Sequence, residues 1–82
     1  MEIAQAIKEL EGKEKNIRFD RAITIATAIF GKPVIRGSHY YFKMPWAGEP
    51  IVCIVRPHKG GLAPAPYIRK LIEALKRKEN EG

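Results

Sequence analysis

At Gly31-Lys32-Pro33 the chain changes period, and this change restricts the possible folds more than any other feature. Before it, apolar residues recur at helical spacing. Ile3, Ala6, Ile7 and Leu10 form one stripe, and Phe19, Ala22, Ile23, Ala26, Ile29 and Phe30 form a second. Gly12 ends the first helix, Lys13 to Asn16 read as a polar connector, and a second helix is expected over Asp20 to Phe30. Asp20 suits its cap or first turn, and Gly31 suits the residue that closes it. Pro33 forbids continuation. Beyond it the spacing becomes that of strands. Val34-Ile35-Arg36, His39 to Met44 and Ile51 to Arg56 are rich in β-branched and aromatic residues. Gly37-Ser38 and Pro45 to Pro50 are the turns between them, and Pro57 to Pro66 is a loop. Helical spacing returns with Tyr67, Ile68, Leu71, Ile72 and Leu75, predicting a last helix from about Ala65 to Lys78 with Lys70, Lys76, Arg77 and Lys78 on its polar side.

The order is α-α-β-β-β-α, so the expected fold class is α+β. We expect one domain over residues 1–82, with an N-terminal helix within 2–11 and a core within 16–78. A three-stranded antiparallel meander with the helices packed on one face is the simplest arrangement.

A chain of 82 residues buries only about 60–65% of the surface that its unfolded form exposes. Its chemistry belongs on a surface or in a shallow cleft, which suits a polymer better than an enclosed metabolite. The net charge of +6 favours a polyanionic partner such as nucleic acid. Cys53 is the single cysteine and lies in an apolar run, so neither an internal disulfide nor a cysteine zinc cluster is expected. We expect no metal and no cofactor. No apolar run approaches the ~18 residues of a membrane span, and the start Met1-Glu2-Ile3-Ala4-Gln5 has no signal-peptide pattern. A cytoplasmic protein without a membrane partner is the expectation.

Pairing Met44 with Ile51 in the second hairpin places Lys43 opposite Val52, Tyr41 opposite Ile54 and His39 opposite Arg56. One face then holds Tyr40, Phe42, Met44, Ile51, Cys53 and Val55, and should meet the helices. The other gathers His39, Tyr41, Lys43, Val52, Ile54 and Arg56 in the open. A slip of one residue would reverse this partition in one strand.

That open face has the parts of an RNA surface. Arginine and lysine meet phosphates, and tyrosine offers a ring to an unpaired base. RNA carries its own nucleophile in the 2′-hydroxyl. Cleavage needs a base for that proton, an acid for the leaving oxygen and a cation for the developing charge. His39 is the candidate base or acid, with Ser38 shaping its turn and His58 as a further proton donor. Arg36, Tyr41, Lys43, Arg56 and Lys59 are the candidate RNA-binding residues. The plainer reading makes His39 a turn residue, His58 a loop residue and the helix lysines a solvated face. Two other functions are compatible with the same residues: a non-catalytic RNA-binding module, and a protein-interaction domain whose basic surface, with Trp46 as anchor, serves an acidic partner. Gly60-Gly61 is no phosphate loop, because no Gly-Lys-Ser/Thr follows. Glu49 stands alone in its turn, so no carboxylate pair flanks the strands.

Gly37-Ser38-His39-Tyr40-Tyr41-Phe42 resembles the Gly-Ser-His-His-aliphatic-Phe segment of the HicA family. Asn16-Ile17-Arg18-Phe19 ahead of a helix ending Phe30-Gly31, His58-Lys59-Gly60 after the third strand, and Ile68-Arg69-Lys70-Leu71-Ile72 in the last helix also resemble it. The likeness covers roughly Asn16 to Lys78. Tyr40 stands where the motif has its second histidine, Arg56-Pro57-His58 differs in order from the family's Pro-Arg-His, and Ala63 to Pro66 offers no threonine cap. The resemblance implies a fold like the double-stranded-RNA-binding domain. It also implies a toxin of a toxin–antitoxin pair, an mRNA interferase cutting mRNA without a metal, with its catalytic histidine at His39. A HicB-type antitoxin protein is the implied partner.

Overall fold

The computed structural model describes residues 1–81. Helix α1 spans Ile3–Leu10, a short 3-10 turn Glu14–Asn16, α2 Phe19–Phe30, β1 Val34–Arg36, β2 His39–Tyr41, β3 Cys53–Val55 and α3 Ala65–Asn80. The architecture is α+β, with three helices and one antiparallel sheet in the order β1-β2-β3.

Helix α3 is the centre of the packing, touching α1, the 3-10 turn, α2 and β3. Its Ile68, Leu71, Ala74 and Leu75 are fully buried, as are Ala6 and Leu10 of α1 and Ala22, Ile25 and Ala26 of α2. Each large aliphatic chain so buried contributes about 1.5–3 kcal/mol, and no polar side chain is buried among them.

The connector after α1 is more ordered than expected. The Gly12 N–H donates to the Glu14 carboxylate at 3.0 Å, and that bond holds the Glu14 carboxyl below the usual range. Helix α2 begins at Phe19, one residue earlier than predicted, without a side-chain cap. Asp20 is a first-turn acid and not the cap. The loop after β3 does the capping: the Phe19 N–H donates to the Gly61 carbonyl at 2.6 Å, and the Ala63 N–H to the Ile17 carbonyl at 2.8 Å. One of the unpaired amides that every helix start leaves is thereby satisfied across the fold.

The first strand has the predicted bounds, the second and third are shorter than predicted, and the second hairpin has another register. His39 pairs with Val55, Tyr40 with Ile54 and Tyr41 with Cys53, and the Phe42 N–H donates to the Val52 carbonyl at 3.1 Å. The expected pairing of His39 with Arg56 is therefore corrected by one residue. The cause lies in β3, where Ile51 to Val55 is apolar at every position and alternation cannot choose a face. The observed choice buries Val52 and Ile54 at 0% exposure beside Phe42, and leaves Cys53 and Val55 half-buried on the far side. Ile51, expected inside, is exposed, and Met44 packs at the edge of the core. The Trp46 indole N–H donates to the Pro50 carbonyl at 2.9 Å and closes the turn between β2 and β3.

Candidate functional site

At one end of the sheet β1 finishes, β2 begins and β3 finishes. The last rung there is Arg36, His39 and Val55. One step further out, the Arg56 N–H donates to the Ser38 carbonyl at 2.8 Å. Gly37 turns the chain with φ of +61°, a backbone that side-chain-bearing residues rarely adopt. The turn and the added bond fix where β2 starts, and so fix His39.

His39 is exposed on the face away from the helices, in the row that alternation gives to Arg36 and Val55. The next row on this face is Val34, Tyr41 and Cys53. The His39 and Tyr41 rings stack with centroids 5.9 Å apart and planes 12° from parallel. Cys53 has its thiol pushed up by burial, which makes it a poor nucleophile at neutral pH.

Arg56 does not share this face. Register puts it on the side of Tyr40 and Ile54, toward the helices. Its guanidinium lies 4.6 Å from the Phe19 ring centroid and 5.5 Å from that of Tyr40, and donates to the Tyr40 hydroxyl at 2.8 Å. That hydrogen bond, with the nearby Asp20 charge, holds the guanidinium proton more firmly than usual. Phe19 and Tyr40 meet edge to face, with centroids 5.1 Å apart. Tyr40, where the HicA motif has a histidine, is thus a support for Arg56 and not part of the open face.

Lys43 falls outside the ladder at the other end of β2. It lines a shallow groove of about 240 Å³ with Ile29, Phe30, Met44, Pro45 and Lys78, so the structure does not bring it together with His39. His58 and Lys59 are exposed in the loop between β3 and α3, which passes the start of α2. They share the His39 end, and neither side chain has a hydrogen-bond partner among the described residues.

Arg18 belongs to the same end and was not singled out by sequence reasoning. Its one sequence signal is its place just ahead of the α2 stripe. In the fold it lies beside Gly61, bridged in backbone to Leu62. Arg18, Arg36, Arg56 and Lys59 have no carboxylate within salt-bridge distance among the described residues. No cluster of three or more metal-ligating side chains occurs among those residues, and no helix among them is long and apolar enough to cross a membrane.

No protein-family model matches the chain, and neither a curated protein nor a solved structure matches it.

Proposed function

We propose that this chain is an endoribonuclease of the HicA type, a toxin that cuts mRNA without a metal, with His39 transferring the proton. One observation carries the reading: an exposed histidine sits on the last rung of an open sheet face, at an end where four cations lack acid partners. The Gly37-Ser38-His39 resemblance supports it, and so does the net charge of +6.

In the cleavage step the 2′-oxygen attacks the adjacent phosphorus and the bond to the 5′-oxygen breaks. His39 takes the 2′-proton or supplies the proton to the leaving oxygen, and His58 is the candidate for the other transfer. Arg36 and Lys59 offset the charge gathering on the phosphate. Tyr41 stacks a base, and Ser38 holds the turn that aims His39. The segment from α2 to α3 runs helix, three strands, helix, the order expected of a double-stranded-RNA-binding-like domain. A HicB-type antitoxin would cover the exposed Val34, Tyr41 and His39 surface in a cytoplasmic complex.

The test is induced expression of the wild type and His39→Ala in a bacterial host, with growth and mRNA integrity followed together. Growth arrest with mRNA loss in the wild type alone is the expected result. Equal mRNA loss in both, or none in either with soluble folded protein, sinks the assignment. The stacked His39–Tyr41 pair favours a second reading, an RNA-binding module whose two rings form a base platform. Tight binding without cleavage by the purified protein is its signature.

A further inference from the structure

On the helix side of the same sheet end is a second cleft, of about 260 Å³, lined by Arg18, Phe19, Asp20, Arg56, Pro57 and the backbone of Gly60 and Gly61. We infer that this cleft is a phosphate subsite, in which Arg18 and Arg56 clamp a phosphodiester of the same RNA strand that His39 cuts. The inference rests on the reading of the His39 end as an RNA site, and extends the strand's path around the rim of the sheet.

Three observations carry it. First, Arg56 is held in place before any ligand arrives, by the ring faces of Phe19 and Tyr40 and by the Tyr40 hydroxyl. These partners are neutral, so the guanidinium keeps its full charge and its remaining N–H donors for an anion. Second, the Arg18 head group lies against Gly61 on the facing wall. A Cβ on Gly61 would overlap the Arg18 head group, whose central carbon would lie only 2.8 Å away. Glycine at 61 leaves the space that Arg18 fills. Third, the cleft's Arg56 is one step along the ladder from the His39 rung. The Arg56 amide is bonded to Ser38, the residue before His39, while their side chains leave opposite faces of the sheet. A strand crossing the open edge meets His39 on one side and the two arginines on the other.

Asp20 is the opposing charge. It lines the cleft but stands beyond salt-bridge distance of both arginines. Two guanidiniums against one carboxylate leave the cleft positive. The guanidinium forks match the two non-bridging oxygens of a phosphodiester, and the glycine floor offers no apolar pocket for a peptide side chain.

The experiment is anisotropy titration of the full chain with a short 2′-O-methyl single-stranded oligoribonucleotide, which cannot be cut, over a range of salt. Each lost phosphate contact should lower the slope of log affinity against log salt by about 0.7. Arg18→Gln and Gly61→Ala are both expected to show this loss, with affinity weakened about 3–5-fold, the range of one exposed ionic contact. Gly61→Ala is the sharper variant, because it keeps every charge and evicts only the Arg18 head group. Asp20→Asn is expected to tighten binding by a factor of about 2. Wild-type thermal melting in each variant confirms the fold. If the wild type binds and cuts RNA while both Arg18→Gln and Gly61→Ala keep its salt slope, the subsite is overturned and the His39 reading stands. If the wild type binds no RNA, both fall together.

Discussion

Four cations on the helical flank sit in ion pairs, and four at the sheet end do not. On the helical flank, Arg21 is tied to Glu9 at 2.5 Å, Lys70 to Glu49 at 3.0 Å, Arg77 to Glu81 at 2.7 Å, and Lys76 to Glu11. Three of these pairs bridge elements, α1 to α2, α3 to the turn before β3, and α3 to α1, while Arg77–Glu81 lies at the end of α3. At the sheet end Arg18, Arg36, Arg56 and Lys59 have no such partners among the described residues. Arg56 is braced by rings and a hydroxyl, none of which cancels its charge. Cations that fasten the fold are thus neutralised where they stand, and cations at the sheet end keep their field. A positive residue with neutral braces is prepared for a ligand, whereas one with an acid partner has its ligand built in.

That contrast can be broken at several points. The largest effect is expected at His39. His39→Gln should lower RNA cleavage by about 10²–10⁴-fold, the usual weight of a proton-transfer group, while calorimetry shows an unchanged melt because the side chain is exposed. Cleavage kept within a few-fold would remove the chemistry from the sheet end and leave only binding there.

Next comes the sheet itself, whose register decides which side chains reach which face. Ile54→Ala should cost about 2–5 kcal/mol in urea unfolding. Val55→Ala on the open face should cost well under half as much, since Val55 is only half-buried. Equal costs would restore the other register and carry Arg56 back to the His39 face.

Arg36→Gln should cut the salt slope of RNA binding by about 0.7. The smallest effect is expected on the paired flank. Arg21→Gln should leave RNA affinity unchanged and cost little stability, because the pair is exposed and screened by solvent. The Glu9 carboxyl is held below its usual range, first by its bond from Arg21. A depressed folded-state value stabilises above the unfolded value and stops doing so as pH falls through the folded one. The stability difference between the wild type and Arg21→Gln should therefore be present at neutral pH and close at acid pH. A difference that persists in strong acid would mean packing, not charge, joins α1 to α2.

The helices were legible because their signals are local. Spacing marked the apolar stripes of α1, α2 and α3, and Gly31 and Pro33 marked the boundary after α2. The turn at Gly37-Ser38 and the exposure of His39 were equally local. The register of β2 against β3 was not, because a strand that is apolar at every position is compatible with either face. Only the packed fold reveals the choice, with Val52 and Ile54 buried beside Phe42. The misplacement of Arg56 follows directly from that. Arg18 was hidden for a related reason: its partner in space is Gly61, far along the chain, and no periodicity links the two.

The clip between the start of α2 and the loop after β3 bears on the order in which the chain is made. Arg18 and Arg36 are synthesised early, Arg56 and Lys59 late, and Gly61 comes after them all. Until Gly61 and Ala63 leave the ribosome, the Phe19 amide has no acceptor and Arg18 has no wall to lie against. The helical flank waits longer still, because α3, on which α1 and α2 pack, follows Gly61 and Ala63 in the chain. A chain stopped at Arg56 would already carry every residue of the His39 rung and still lack the loop that closes the basic end.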